Sequence, residues 1–172
     1  MFLAFQKKNV INAGLILFIV STIIIYAKEE GIVGRTKKNK KGCTCHNEVS
    51  SNDVLVFISG PDSLQAGQSA LYAVTISSSF IKAAGANIAA SDGELFPVFH
   101  DLKKLKGELT HTSPKYSSSG KVTFQFSYTA PQVIGLQNLY ANGNSVNMNG
   151  KKTGDSWNYA PTKIILIVNS NF

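Results

Sequence analysis

The chain has 172 residues, of which 44% are hydrophobic and 16% are charged. This composition excludes a disordered charged tail and a polytopic membrane protein, and the length suits one domain with room for a further segment. The formal net charge is +7. Residues 1–46 hold eight Lys/Arg and two Glu, whereas residues 47–172 hold nine Lys/Arg and eight Asp/Glu. Because the larger part is nearly neutral, we expect no nucleic-acid partner.

The chain begins with a candidate export signal. Lys7 and Lys8 precede a run without charged residues, 9–27, whose centre is strongly apolar. As a helix this run would be about 28 Å long, barely enough to cross a bilayer. We predict that residues 1–27 form a hydrophobic helix, either a signal peptide cut after Ala27 or an uncleaved membrane anchor. Both alternatives predict an exported protein, periplasmic or at the cell surface.

Residues 28–52 are rich in Gly, Lys, Asn, Ser and Thr, and we predict a linker there. Residues 53–172 are predicted to form one β domain. The clearest strand pattern is Lys121–Thr129, where apolar and polar residues alternate with the period of a half-buried strand. Other short β-rich runs lie between Gly and Pro turn signals, which favours an antiparallel sandwich. The predicted strands are Val54–Ser59, Leu71–Ser77, Ala83–Ala90, Lys121–Thr129, Leu136–Ala141 and Thr162–Val168.

Two further segments carry weaker patterns. Leu102–Leu105 has the spacing of a single helical turn. The Asn/Gly-rich stretch 142–150 is too polar for an ordinary strand, so a structured loop is predicted there, with Asn144 or Asn147 buried and hydrogen-bonded.

The most informative string is Cys43-Thr44-Cys45-His46, which places two thiols and an imidazole within four residues. Three interpretations are open. The thiols could form thioethers to haem with His46 as the proximal ligand, although the usual attachment string has two residues between its cysteines. Thiolates and imidazole also suit Cu(I) or Zn(II). The third interpretation is a Cys43–Cys45 disulfide or two reduced thiols in a linker.

Two other histidines are candidates for a second ligand. His111 precedes Thr112, Ser113 and Pro114, and as a distal ligand it would close a six-coordinate iron suited to electron transfer. His100 is the weaker candidate, because its neighbour Asp101 could simply hold the ring by a hydrogen bond. The sequence contains no nucleophile triad, phosphate-binding glycine loop or paired-carboxylate signature, so we expect no enzyme of those classes.

Several strings occur in a particular chain order: Gly34-Arg35-Thr36, the Cys43–His46 motif, Leu64–Gln68, Thr110-His111-Thr112, Tyr128–Pro131, Tyr140–Asn147 and Thr153–Asp155. In this order they resemble a bacterial family of exported proteins with a Reeler-like, immunoglobulin-type β-sandwich and an N-terminal CxxCH haem-binding string. The resemblance covers about residues 34–168. It departs from the family in two places: only one residue separates Cys43 from Cys45, and position 66 is not Pro.

The resemblance implies an all-β, immunoglobulin-like fold and a monohaem c-type cytochrome-like domain for electron transfer or redox sensing. Cys43 and Cys45 would hold haem c, with His46 as the proximal and His111 as the distal iron ligand. The implied partner is a redox protein, and the lysines at 37, 38, 40 and 41 suggest that it is acidic. Those lysines would alternatively attract a membrane surface beside residues 9–27, or be a solvated linker. The alternative functions are a non-catalytic surface or adhesion module and a Cu/Zn-binding protein that uses the same motif.

Overall fold

The structure is a computed structural model that describes residues 31–45 and 47–169. In these ranges a short 3₁₀ helix, Lys37–Asn39, precedes a succession of β-strands. The strands are β1 (Leu55–Ser59), β2 (Ser63–Gln65), β3 (Ser69–Ser77), β4 (Ala83–Ala90), β5 (Glu94–Pro97), β6 (Leu102–Leu105), β7 (Glu108–His111), β8 (Lys115–Tyr116), β9 (Lys121–Thr129), β10 (Gly135–Val146), β11 (Ser156–Tyr159) and β12 (Lys163–Val168).

The strands form two sheets that face each other. The smaller sheet has the order β1-β3-β9-β5. The larger sheet has the order β2-β12-β10-β4-β7-β6, with β11 also paired to β10 and β8 also paired to β4. The β2–β12 pair is parallel and the other pairs are antiparallel. The all-β immunoglobulin-like sandwich predicted from the sequence is therefore confirmed.

The core lies between the sheets and follows the alternation of each strand. In β9 the side chains of Val122, Phe124, Phe126 and Tyr128 are buried, as the apolar period predicts. Tyr72 of β3 stacks on Phe126 with ring centroids 5.8 Å apart. The buried aromatic rings supply much of the apolar area that stabilises a sandwich of this size.

Strand β4 differs from the others because all eight of its residues are buried. Its inward side chains, such as Ile88, enter the core, and its outward side chains are the small residues Ala83, Gly85, Asn87 and Ala89. Burial on the outward side means that something covers the outer face of the larger sheet. That cover is the chain segment that precedes β1, and it defines the candidate site described below.

Two local predictions were wrong. Residues 142–146 are not a loop but the last part of β10, paired with β4 on one edge and with β11 on the other. One of their side-chain amides has a partner in the covering segment, since Asn142 Nδ2 donates to the Arg35 carbonyl, and this bond partly compensates for low strand propensity. Leu102–Leu105 is strand β6 rather than a helical turn, because its backbone pairs with β7.

The predicted N-terminal helix, residues 1–27, lies outside the described residues. Among residues 31–45 and 47–169 we find no helix with the length and apolar character needed to span a bilayer.

Candidate functional site

Residues 31–45, here called the strap, lie across the outer face of the larger sheet. The sequence predicted a linker over 28–52, but the described part of this segment is bound to the domain. The Gly34 amide donates to Glu108 Oε2 at 2.8 Å, and the Arg35 amide donates to Asn87 Oδ1 at 2.9 Å. The Arg35 carbonyl accepts a hydrogen bond from Asn142 Nδ2 at 2.5 Å. These bonds join positions far apart in sequence, so the strap is a tertiary element.

The floor beneath the strap consists of two parallel rows of residues. Strand register places Gly85 of β4, Asn144 of β10 and Trp157 of β11 in one row. Asn87, Asn142 and Tyr159 form the next row on the same face. Neighbouring strands are about 4.8 Å apart, so each row spans about 10 Å. The floor is therefore polar in its middle and aromatic at the β11 side.

Glu108 is the main polar anchor of the strap. Its carboxylate accepts hydrogen bonds from Gly34 N, from Asn87 Nδ2 at 2.9 Å and from Asn39 Nδ2 at 3.0 Å. A carboxylate that receives several N–H donors forms the stronger, charge-assisted kind of hydrogen bond. Glu108 thus ties strand β7, strand β4 and the strap together.

The aromatic anchor is Trp157. A Cβ added to Gly42 would lie 1.8 Å from the Trp157 ring, so the strap backbone runs directly over the indole. The indole Nε1–H donates to the Asn47 carbonyl at 2.7 Å, and Tyr159 meets the indole edge-on at 5.1 Å. Lys37 Nζ lies 5.6 Å from the centre of the Tyr159 ring. The indole therefore holds the chain on both sides of the Cys43–His46 motif.

The two thiols of the motif occupy different environments. Cys43 is partly buried, whereas Cys45 is exposed in the turn that follows. Burial raises the pKa of the Cys43 thiol to about 12, opposed by the nearby Arg35 guanidinium and by a hydrogen bond from Asn142. Burial also raises the pKa of Tyr159, and the neighbouring Cys43 adds to this effect. Cys43 therefore lies near the row formed by Asn87, Asn142 and Tyr159. Its thiol remains protonated at neutral pH.

Several oxygen atoms of the strap and of the sheet beneath it are buried and have no hydrogen-bond partner among the residues that the structure describes. They include Thr36 Oγ1, Asn142 Oδ1 and Asn144 Oδ1. Buried polar atoms are usually paired with protein groups or ordered water. A hydrogen-bond donor placed between the strap and β10 would therefore satisfy these oxygen atoms.

The imidazole of His111 lies at the opposite end of the Gly85–Asn144–Trp157 row from the indole. Nδ1 is 3.1 Å from the Ala86 amide nitrogen and 3.2 Å from the Ala86 carbonyl oxygen. If Nδ1 carries the proton it donates to that carbonyl, and Nε2 becomes the nitrogen able to bind a metal. The other tautomer accepts from the Ala86 amide and keeps its proton on Nε2. His111 therefore belongs to the same sheet face as the strap.

The remaining predicted ligands are placed as follows. His46 lies outside the described residues, so its approach to His111 stays a prediction. His100 is exposed in the connection between β5 and β6. Residues 31–45 and 47–169 contain no group of three or more His, Cys, Asp or Glu side chains arranged to hold a metal ion.

The described residues fit haem only in part. His111 can serve as a ligand in one of its two tautomers. The thiols fit less well, because attachment through two thioethers needs both sulfur atoms at one porphyrin, whereas Cys43 is partly buried beside Asn142 and Cys45 is exposed. Haem c held by Cys43 and Cys45 remains a prediction.

Four residues of the site were not identified from the sequence: Gly85, Asn87, Glu108 and Trp157. Glu108 resembles any solvated acid, and Trp157 resembles any core aromatic residue. The sequence did carry a signal for Gly85 and Asn87. They alternate with alanines in strand β4, which indicates a sheet face with little side-chain volume. The lysines of the strap are also partly structural: Lys38 Nζ donates to the Ala90 carbonyl at 2.6 Å.

Comparison with known proteins gives likeness of shape alone. No family model and no curated protein matches the chain. One similar solved structure is the CARDB domain of a Pyrococcus furiosus protein in complex with di-metal ions, at 17% identity and a TM-score of 0.40, covering 72% of this chain and 96% of that domain. Another is the PKD domain of an M14-like peptidase from a Thermoplasmatales archaeon, at 15% identity and a TM-score of 0.41. That match covers 68% of this chain and 98% of the PKD domain. Similarity at this level says nothing about ligand or activity.

Proposed function

We propose that the chain is an exported, non-catalytic β-sandwich module that uses the strap as its binding element at the cell surface. The observation that carries the proposal is the anchoring of the strap by Glu108 and Trp157, which holds the backbone around Cys43 while leaving Cys45 exposed. A loop that is already held on a sheet loses less conformational entropy when a partner binds, so binding costs less free energy. The apolar N-terminal run supports export.

Labelling in intact cells tests this proposal. The full chain is expressed in a bacterial host and treated with a membrane-impermeant maleimide. We expect Cys45 to be labelled in intact cells and Cys43 to be labelled mainly after denaturation. Cys45→Ser should abolish labelling in intact cells, and Cys43→Ser should leave it unchanged. Labelling of Cys45 that appears only after lysis would contradict export to the surface.

A second candidate function is electron transfer by a haem-bearing domain. His111 favours it, because the imidazole lies on the same outer face as the strap. His46 would be the second ligand. Bound haem would supply one-electron chemistry, and the chain would contribute the ligands and the polar floor that tune the potential.

The two candidates predict different spectra. Protein produced in a host that matures c-type cytochromes should show a Soret band if the second candidate is correct. A pyridine haemochrome spectrum then distinguishes two thioethers from one or none. Apoprotein with two free thiols from the same host would eliminate covalent haem and retain the binding module.

An acidic partner would suit either candidate. Lys37 and Lys38 contact Tyr159 and Ala90, whereas Lys40 and Lys41 extend the exposed part of the strap. Exposed charges accelerate association by long-range attraction, which is screened within about 10 Å at 0.1 M salt. Changing Lys40 and Lys41 to Gln should therefore slow association with an acidic partner at low salt only.

A further inference from the structure

The two cysteines of the strap differ in their exposure to solvent, which a simple linker would not require. Cys45 lies exposed in a turn, and Cys43, two positions earlier, is shielded beside Asn142. Rates of thiol–disulfide exchange depend on access to the attacking sulfur. The exposed thiol reacts readily with an external molecule, whereas the partly buried thiol reacts faster with a group already attached beside it than with one in solution.

We infer that the strap is a reversible covalent docking site, in which Cys45 forms a mixed disulfide with a disulfide-bearing exported protein and Cys43 releases it. This inference rests on the proposed surface-binding function and names the chemistry of the partner. Cys45 is the attacking residue and Cys43 is the resolving residue.

The steps balance as ordinary exchange. The Cys45 thiolate attacks one sulfur of the partner disulfide, so a Cys45–partner disulfide forms and the other partner sulfur leaves as a thiolate that takes up a proton. Cys43 then loses its proton to solvent and attacks the Cys45 sulfur. A Cys43–Cys45 disulfide forms, and the second partner sulfur leaves as a thiolate. Two electrons pass from the strap to the partner, and no further oxidant is needed.

The geometry permits the closing step. Cα atoms two residues apart lie at most about 7 Å from each other, which overlaps the range of about 4.4–6.8 Å found in disulfides. A ring closed through one intervening residue is short, and short or strained disulfides are the readily reduced kind. Closing the ring also requires Cys43 to leave its place beside Asn142. The docked and released states would therefore differ in how tightly the strap lies on the sheet.

Arg35 and Asn142 provide local support for the resolving step. The Arg35 guanidinium and a hydrogen bond from Asn142 both favour the thiolate form of Cys43, against the effect of burial. Charge-assisted hydrogen bonds of this kind stabilise a developing anion. The same two residues are held in place by the bond from Asn142 Nδ2 to the Arg35 carbonyl.

Glutathione disulfide is the probe that tests the inference on the purified full chain, followed by intact-protein mass spectrometry. In the wild-type chain we expect an intramolecular disulfide, seen as the loss of two hydrogen atoms, without an accumulating glutathione adduct. Cys43→Ser should trap the glutathione adduct on Cys45. Cys45→Ser should form an adduct at least about tenfold more slowly, because its remaining thiol is shielded.

Three outcomes would overturn the inference: equal reaction rates in the two variants, a persistent adduct in the wild-type chain, or thiols already consumed by haem thioethers. Thermal unfolding of each variant checks that it is folded, and Cys43→Ala replaces Cys43→Ser if the latter is not. Export is tested separately by labelling in intact cells, so failure of the exchange chemistry and failure of the surface function are distinguishable.

Discussion

The imidazole of His111 occupies the space in which any residue other than glycine at position 85 would place its Cβ atom. A Cβ built on Gly85 would lie 2.4 Å from Cε1 and 2.7 Å from Nε2 of the ring. Real Cβ atoms do not approach other heavy atoms so closely. Gly85 therefore allows β4 to receive a histidine from the neighbouring strand, β7.

Gly85→Ala should displace the imidazole and lower the free energy of unfolding by about 1–3 kcal/mol, the usual cost of overpacking a tight site. Urea unfolding measures this change. In a His111→Ala background the same substitution should cost less, because the clashing ring is gone. Equal costs in the two backgrounds would show that the contact with His111 is not the cause.

Gly42→Ala should lift the strap from Trp157, since the new methyl group cannot share space with the indole ring. Trp157 is the only tryptophan of the chain, so its fluorescence reports on this contact directly. We expect a red-shifted emission maximum and faster maleimide labelling of Cys43 in the folded protein. Gly107→Ala is a control for strain alone: its φ of +82° disfavours any side chain, but a Cβ there meets no atom within 4 Å, so the Trp157 emission should not change.

Glu108→Ala removes the acceptor shared by Gly34, Asn39 and Asn87 and leaves their donors without it. We expect a loss of about 1–3 kcal/mol in unfolding free energy and weaker hydrogen-exchange protection of the Gly34 amide. Glu94→Ala is the matched control, because Glu94 is in a surface ion pair with Lys104. That control should change stability by less than about 1 kcal/mol.

The raised pKa of Cys43 predicts a particular dependence of stability on pH. Its thiol has an ordinary pKa of 9.0 and a pKa of about 12 in the folded protein. Below pH 9 the thiol is protonated in both the folded and the unfolded state, so Cys43 does not change how the free energy of unfolding depends on pH. Between pH 9 and 12 the unfolded state loses the proton first, and stability falls as pH rises.

Comparing the wild-type chain with Cys43→Ser measures this contribution together with the part of the raised pKa of Tyr159 that Cys43 causes. Tyr72 and Tyr128 also have pKa values raised to about 12, chiefly by burial, but they remain in both proteins. Chemical unfolding at pH 8 and at pH 10.5 should show a smaller loss of stability in the variant. Parallel losses in the two proteins would mean that Cys43 is not shielded in solution.

The sequence by itself determined the class of fold. The bounds of Lys121–Thr129 were predicted to the residue. In a half-buried strand, side chains point alternately to the core and to solvent, so the apolar residues must occupy every second position. Ala83–Ala90 was also predicted correctly, although its apolar pattern does not reveal that both of its faces are covered. The sequence analysis did not predict the short strands β2, β5, β6, β7, β8 and β11, because two to four residues carry too little periodicity.

The tertiary structure alone decided what the polar residues do. The Asn142–Val146 stretch looked like a loop because amides are poor strand formers when they face water. Here the carbonyl of Arg35 accepts from Asn142, so the covering strap changes the energetic balance in favour of a strand. Cys43 and Cys45 are chemically identical in the sequence, and the difference between a shielded and an exposed thiol arises only when the strap lies on the sheet. Local composition cannot predict such differences, because burial depends on segments that are distant in the chain and adjacent in the fold.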